Sequence, residues 1–402
     1  MKIKYRAAVA LLSSLLMSGA AHAADVVRLG VLTDMSGVLS SSLGEGSVEA
    51  TRLAVEEFGG ALLGKKIEVI SGDHQNKADV GLAIAQRWVD TQDVDVILDL
   101  GNSAVAIAVQ NLVKDRNKIS IATGAASGEL TNKYCNPNAF HWGYDSYEFT
   151  KAMVPDMVKA GGDTWYFLTV DYAFGHAVEA DARKLVEANG GKVLGAVRHP
   201  INTSDFSSYL LQAQSSGAKV IAFASSTGDL QNIIKQSGEF RLFADGKTKS
   251  AAPILLIADV HAVGLKVAQG TAFSAVAYWD ADEKSRALSE KFWKKMNRMP
   301  TDAHLMTYSA ALHYLKAAAA AKTLETDAVI AKIREMPVND AVTTNARVRA
   351  DGRLMRDVYL GRVKSPAESK KPWDYFKIER KISGEEAFRP VSESVCPLLK
   401  KS

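Results

Sequence analysis

Strand-like and helix-like segments alternate along most of this 402-residue chain, and the alternation constrains the fold more than any other feature. Val26–Thr33 is typical of a buried strand. Residues 46–58 follow it with apolar side chains three and four apart, the spacing of an amphipathic helix. Regular βα alternation predicts parallel sheets covered by helices on both faces. The same unit continues with predicted strands at 66–71, 94–100 and 119–122 and helices at 79–91 and 104–115.

The alternation starts again at residue 164, which predicts a second doubly wound unit. Its predicted strands are 164–170, 192–198, 219–225, 253–258 and 271–278, and its helices are 175–189, 204–216 and 229–240. Three helices follow at 283–296, 303–321 and 327–335, and then short strands at 346–349, 356–363 and 373–382, with an Asp351-Gly352 hairpin turn between the first two. We therefore predict an α/β protein with two Rossmann-like lobes joined by a hinge, since residues 140–146 contain no long linker.

The predicted division begins with an export signal at residues 1–23. Lys2, Lys4 and Arg6 precede a short apolar core, and Ala21-His22-Ala23 supplies a small-x-small cleavage pattern. A buried N-terminal helix is the alternative. Cleavage before Ala24 would release a periplasmic chain of 379 residues and lower its formal charge from +4 to +1, which does not suggest a nucleic-acid binder. Lobe 1 is predicted to comprise 24–145 plus about 279–341, and lobe 2 146–278 plus about 342–402.

Cys135 and Cys396 are the only cysteines, and an oxidising compartment favours a disulfide between them over two unpaired thiols. No catalytic motif occurs in the sequence, neither a Gly-x-Ser-x-Gly elbow, a His-Glu-x-x-His pair nor a P-loop. Gly44-x-Gly46 lacks the third glycine of a dinucleotide fingerprint. We therefore predict no catalytic residue, no metal site and no cofactor. No segment after the export signal has 18 uninterrupted apolar residues, so no membrane span is predicted.

Ligands of open α/β sheets meet the loops that leave the carboxyl ends of the strands. In the first unit, residues 101–104 and 123–127 place backbone N–H groups and small hydroxyls there, a combination that suits a carboxylate. Ordinary helix capping is the alternative. In the second unit, residues 171–175 place aromatic side chains after a strand, as an apolar or ring-bearing ligand would require. Asp259 either meets a ligand ammonium or caps the next helix.

Six segments occur in an order and spacing that extend over nearly the whole mature chain. They are RLGVLTDMSG at 28–37, VEATRLAVEEFGG at 48–60, LGKKIEV at 63–69, GELT at 128–131, DYAFG at 171–175 and DF at 205–206. In this arrangement the chain resembles the periplasmic substrate-binding proteins of ABC transporters, of the Leu/Ile/Val type. The resemblance implies a type I periplasmic binding protein fold. It also implies a monomer that captures a small carboxylate and delivers it, without chemistry, to an inner-membrane permease.

The resemblance also assigns positions to the ligand. Ser103 and Ala125 fall where the first lobe of the family holds a carboxylate, and Ala126 stands where the family has a threonine. Asp259 approximates the acidic partner of an amino group, and Leu43 replaces an aromatic residue at the pocket mouth. With the loop residues, the predicted ligand-binding set is Leu43, Asn102, Ser103, Ala125, Ala126, Ser127, Tyr172, Phe174, Ser226, Asp259, His261 and Tyr308.

The loops at 102–104, 172–176 and 259–261 differ from those of a Leu/Ile/Val receptor and favour an aromatic acid ahead of an amino acid. Two other functions stay open. A ligand sensor would present the same closed lobes to a membrane receptor. An exported enzyme would need a nucleophile–base pair, which the cleft loops do not contain.

Overall fold

The computed structural model describes residues 26–399, most of which belong to two largely parallel sheets and the helices that cover them. This confirms the predicted α/β class with two doubly wound units. The predicted export signal at 1–23 lies outside the described residues.

The first sheet has six strands in the order β2-β3-β1-β4-β5-β6, and only the β2–β3 pair is antiparallel. Its elements are β1 Val26–Thr33, α1 Gly44–Phe58, β2 Ala61–Leu62, β3 Lys65–Asp73, α2 Ala78–Thr91, β4 Val96–Asp99, α3 Ser103–Asp115, β5 Ile119–Ala122, a 3₁₀ helix Gly128–Thr131 and β6 Ala139–His141. The central strand β1 is buried without interruption from Leu29 to Thr33, as expected of a strand with helices on both faces.

The second unit follows directly, since its first helix begins at Ser146. Its elements are α4 Ser146–Lys159, β7 Thr164–Val170, α5 Ala173–Ala188, β8 Lys192–His199, α6 Ser207–Ser215, β9 Val220–Ala224, α7 Thr227–Glu239, β10 Lys249–Ile254, α8 Ile257–Val263, α9 Leu265–Ala268 and β11 Ala272–Ala275.

The rest of the chain returns to both sheets. Its elements are α10 Glu283–Met296, α11 Asp302–Ala321, α12 Thr326–Glu335, β12 Arg347–Val348, β13 Leu354–Met355, β14 Val358–Val363, β15 Phe376–Ile382, α13 Gly384–Ala387 and a 3₁₀ helix Val391–Glu393. Helix α11 packs along α1, and β12 contacts α12, so this part covers the first sheet. The last two strands complete the second sheet, whose order is β15-β14-β11-β10-β9-β7-β8. The predicted hairpin at Asp351-Gly352 is confirmed by the antiparallel β12–β13 pair.

Two departures from the predicted elements occur where a side chain caps a helix that the pattern does not reveal. The predicted strand at 253–258 is wrong beyond Ile254, because Asp259 Oδ2 accepts a hydrogen bond from the Leu256 N–H at 3.0 Å and starts α8. Helix α4 is not predicted at all. There Asp145 accepts a hydrogen bond from the Glu148 N–H at 2.7 Å and acts as the N-cap.

The predicted disulfide is confirmed. Cys135 and Cys396 are bonded, with their Cα atoms 5.8 Å apart, so the bond ties the C-terminal segment to a loop 261 residues earlier. None of the helices within residues 26–399 is long and apolar enough to cross a membrane. Within the same range, no three His, Cys, Asp or Glu residues are grouped so as to hold a metal ion.

Candidate functional site

A cavity lies between the two units, where loops that follow the strands of one sheet face loops that follow the strands of the other. It contains about 450 Å³ of empty space, part of it continuous with solvent. Its walls are formed by Leu39, Ser42, Leu43, Gly101, Asn102, Ser103, Gly124, Ala126, Tyr144, Tyr172, Phe174, Ser226, Thr227, Ile254 and Leu256.

The N-terminus of α3 forms the wall on the side of the first sheet. Asn102 caps this helix, since its Oδ1 accepts hydrogen bonds from the N–H groups of Ala104 (2.8 Å) and Val105 (3.1 Å). Its Nδ2 donates to Asn76 Oδ1 at 2.6 Å, which holds the amide in place. Ser103 is the first residue of the helix and lines the cavity. The positive end of a 13-residue helix therefore faces the cavity, an arrangement that favours an anion.

Two glycines allow the backbone to approach the floor of the cavity closely. A Cβ at Gly101 would collide with Leu43 Cδ1, and one at Gly124 would lie 2.9 Å from Leu43 Cδ2. The Leu43 side chain is 1% exposed. Leu43 thus fills the floor and is not at the mouth, where the resemblance places it.

The wall on the side of the second sheet is aromatic and hydroxyl-bearing. Tyr172 is the N-cap residue of α5 and Phe174 lies in its first turn, with their ring centroids 5.9 Å apart. Burial raises the pKa of Tyr172 to about 12, so its hydroxyl is a neutral hydrogen-bond donor at neutral pH. Ser226 and Thr227 begin α7 beside it. Helices from both sheets therefore direct their N-termini at one cavity.

Strained backbone lies next to the cavity on both sides. Asp99 and Leu100, at the end of β4, have φ values of 76° and 58°, and the β-branched Thr227 has φ 47°. Such left-handed conformations cost energy in residues other than glycine and concentrate at functional sites. Here they direct the loop before Ser103 and the start of α7 toward the cavity.

Tyr144 is a cavity residue that the sequence analysis did not identify. It lies on the connection between the two sheets, where its ring is 5.0 Å from that of Phe149. Burial raises its pKa well above the ordinary value. An aromatic residue in a segment that joins two lobes is the signal that would have pointed to it. Further cavity residues outside the predicted set are Leu39, Ser42, Gly101, Gly124, Thr227, Ile254 and Leu256.

Seven of the twelve predicted residues line the cavity, and the structure places the other five elsewhere. The Ala125 carbonyl oxygen is 2.8 Å from His141 Nε2, and the Ser127 hydroxyl caps a 3₁₀ helix by accepting from the Glu129 N–H. The seven that line it are Leu43, Asn102, Ser103, Ala126, Tyr172, Phe174 and Ser226. The other five are Ala125, Ser127, Asp259, His261 and Tyr308.

The last three of these five are engaged by other residues of the protein and are not among the cavity walls. Asp259 caps α8 and its Oδ1 accepts a hydrogen bond from Gln231 Nε2 at 2.8 Å. Burial raises the pKa of Asp259 to about 6. His261 stacks on Trp373, with ring centroids 4.0 Å apart. The Tyr308 hydroxyl donates to Glu57 Oε2 at 2.6 Å, across the α1–α11 contact.

The cavity therefore has an uncharged lining. Within residues 26–399, none of the side chains that form its walls belongs to Asp, Glu, Lys, Arg or His. Polar contacts to a ligand would come from helix N-termini, from hydroxyls and from the Asn102 amide.

A larger groove, with about 1890 Å³ of empty space that includes open solvent, lies elsewhere, between α7 and α9. Ser250 and Thr271 line it at the amino ends of β10 and β11. Ligand sites of open α/β sheets form at the carboxyl ends of strands. Position thus favours the smaller cavity as the functional site.

Comparisons with known proteins agree with this architecture. The sequence model of the family described as periplasmic binding protein matches residues 26–371. The structure is similar to that of a periplasmic binding protein from Burkholderia mallei, with a TM-score of 0.90 and 42% sequence identity. That likeness covers 94% of this chain and 100% of the other.

Two further relatives carry more specific descriptions. A branched chain amino acid ABC transporter periplasmic ligand-binding protein from Burkholderia xenovorans LB400 is 41% identical with a TM-score of 0.86, over 93% of this chain and 100% of its own. The Leu/Ile/Val-binding protein homolog 7 of Brucella suis biovar 1 is 26% identical over 241 residues, or 58% of this chain. The chain spans 60% of the length of that curated relative.

Proposed function

This chain belongs to the periplasmic binding protein family, and from that membership we propose that it captures a small carboxylate between its two lobes and delivers it to an ABC permease. The cavity between the carboxyl ends of the two sheets is the observation that carries the proposal, because a ligand held there would contact both lobes. Such a ligand favours the closed arrangement through its extra contacts.

The proposed organisation combines this family membership with the sequence patterns of the export signal and of the two units. The protein is exported to the periplasm, the signal is cleaved before Ala24, and the mature chain works as a monomer. Lobe 1 comprises 24–145 plus about 279–341, and lobe 2 comprises 146–278 plus about 342–402. The position of the hairpin β12–β13 favours one change to these bounds. Strand β12 contacts α12, and the backbone of Arg353 forms an isolated β-bridge with His141 at the edge of the first sheet. We assign this hairpin to lobe 1.

The three helix N-termini support an anionic ligand. Helices α3, α5 and α7 each begin at a residue that lines the cavity or beside one. The helix dipole and the backbone N–H groups that no cap satisfies stabilise a carboxylate at such a position. In α3 the N–H groups of Ala104 and Val105 already donate to Asn102, so there the dipole and the Ser103 hydroxyl remain for a ligand. Hydroxyls of Ser103, Tyr172 and Ser226 can donate further hydrogen bonds.

The uncharged lining favours an aromatic acid over an amino acid. An α-amino acid would bury an ammonium group, which is costly without an anionic partner. Asp259, the acidic candidate, is engaged by the Leu256 N–H and Gln231 instead. Tyr172 and Phe174 offer ring faces for an aromatic ligand. The descriptions of the Burkholderia xenovorans and Brucella relatives favour the alternative, an amino-acid ligand.

An enzymatic role has less support from the site. Among the described residues that line the cavity, the serines have no histidine beside them to act as a base. We propose binding without turnover.

Two matched ligand pairs test the proposal. 3-Phenylpropanoate and phenylalanine differ only in the ammonium group, and benzoate and benzamide differ only in the carboxylate. We expect benzoate or 3-phenylpropanoate to raise the melting temperature and to give a binding isotherm in calorimetry. Binding of phenylalanine, leucine or valine alone would replace the aromatic acid by an amino acid. Binding of benzamide or sugars alone would contradict the carboxylate assignment.

A further inference from the structure

The C-terminal segment at residues 388–396 follows β15 and α13 of lobe 2 and is fastened to lobe 1. Cys396 is bonded to Cys135. Next to this bond, Asn132 Oδ1 accepts hydrogen bonds from the Val395 N–H at 2.8 Å and from the Ser394 hydroxyl at 3.2 Å. Asn132 and Cys135 follow the 3₁₀ helix after β5, so both belong to lobe 1. The segment cannot leave this lobe while the disulfide is intact.

The same segment is paired with α5 of lobe 2. Lys184 Nζ lies 2.8 Å from Glu393 Oε2, and Arg389 Nη2 lies 3.5 Å from Asp181 Oδ1. Arg389 Nη2 is also 3.8 Å from Glu129 Oε1 of lobe 1. The Arg389 guanidinium thus lies between one carboxylate from each lobe, and its side chain is only 17% exposed.

Helix α5 connects these ion pairs to the cavity. Tyr172 is the N-cap residue of the helix and Phe174 lies in its first turn, and both line the ligand cavity. Asp181 and Lys184 lie further along the same helix. Since a helix moves as a stiff element, a force that holds Asp181 near lobe 1 also holds the aromatic wall near Ser103.

The disulfide acts as a tether that increases the contribution of weak ion pairs to closure. Exposed ion pairs are individually weak, and Lys184 and Glu393 are partly exposed. The disulfide keeps Arg389 and Glu393 close to their partners, so these pairs form at a high effective concentration. The two pairs also act on one helix face, so an opening motion must break both.

We propose that residues 388–396 form a strap that holds α5 against lobe 1 and thereby favours the closed cavity. The strap rests on the proposed function in one respect, that the lobes open to admit a ligand. It sets how far the unliganded protein is closed, and so how much of the ligand's binding energy is needed for closure.

Small-angle X-ray scattering of the ligand-free protein tests the strap. The double variant Asp181→Asn with Lys184→Gln removes both pairs. The Ser146 hydroxyl donates to Asp181 Oδ2 at 2.8 Å in the wild type, and the amide oxygen introduced by Asp181→Asn can still accept this hydrogen bond. We expect a larger radius of gyration than in the wild type. The matched control is Arg183→Gln, because Arg183 pairs with Glu179 inside α5 at 3.2 Å. It should leave the radius of gyration unchanged.

A charge exchange separates the strap from a general loss of structure. Lys184→Glu alone should open the protein, and its combination with Glu393→Lys should restore the wild-type scattering profile. Equal radii of gyration in the wild type, the double variant and Lys184→Glu would overturn the strap. The readout needs no ligand, so a failure of all carboxylates to bind would count against the proposed function and not against the strap.

Discussion

Ser103 and Tyr172 line one cavity from two different sheets. Ser103 begins α3 after β4 of the first sheet, and Tyr172 is the N-cap residue of α5 after β7 of the second. Each lies where a parallel strand ends and a helix starts, so the hydroxyl of each is combined with a helix N-terminus. A carboxylate bound between them would draw the two lobes together.

Replacement of Ser103 by leucine should abolish this contact. The larger side chain fills part of the cavity and removes the hydroxyl, so we expect the affinity for benzoate or 3-phenylpropanoate to fall by about tenfold or more, roughly 1.4 kcal/mol. Calorimetry measures the affinity and thermal unfolding the stability. Ser207→Leu, at the start of α6 and away from the cavity, is the matched control. An unchanged affinity in Ser103→Leu would remove this residue from the site.

Asp259 should contribute to stability and not to ligand recognition. Because its carboxylate caps α8, Asp259→Ala should lower the free energy of unfolding by about 1 kcal/mol, as measured in urea. Asp259→Asn keeps an acceptor for the Leu256 N–H and should lose less. The affinity for 3-phenylpropanoate should stay the same in both. A selective loss of phenylalanine binding in either variant would show instead that Asp259 meets a ligand ammonium.

Glu148 should make the folded state less stable as the pH rises. Its side chain is fully buried beside Ser274, whose hydroxyl donates to Oε1 at 2.6 Å, and burial raises its pKa from 4.5 to about 8. Between these values the folded protein retains a proton that the unfolded chain releases, so stability is present below pH 4.5 and is lost as the pH rises through 8.

Glu148→Gln removes this titration and keeps the acceptor for Ser274. We therefore expect the melting temperature of the variant to fall less than that of the wild type between about pH 5 and about pH 9. Asp302, whose pKa burial raises to about 7, titrates in both proteins, so the profile of the variant is not expected to be flat. Parallel pH profiles for the two proteins would contradict the buried neutral state of Glu148.

Removal of the disulfide should destabilise the protein without unfolding it. The bond closes a loop with a sequence separation of 261 residues, and the loss of a native disulfide typically lowers the free energy of unfolding by about 2–5 kcal/mol. Cys135→Ser with Cys396→Ser, compared with the oxidised wild type in urea, measures this difference. Equal midpoints and slopes in the two proteins would mean that the bond contributes little to the folded state.

Local sequence determined the elements whose signals lie within them. The alternation of strands and helices predicted β1 and α10 with their observed ends, Val26–Thr33 and Glu283–Met296, because burial on both faces and helical spacing leave a pattern in consecutive residues. The rule that ligands meet the carboxyl ends of strands likewise selected Ser103, Tyr172 and Phe174, since it depends on the order of elements alone.

Tertiary structure decided which polar side chains are free to meet a ligand. Asp259 and His261 follow the same sequence logic as Ser103, whereas Tyr308 was selected from the family resemblance alone. Their polar groups contact Leu256, Tyr375 and Glu57, residues that only the folded chain or a local cap brings near. Tyr144, in contrast, joins the cavity because the connection between the sheets passes beside it. A buried polar group binds whichever partner the fold supplies, and a one-dimensional pattern does not contain that partner.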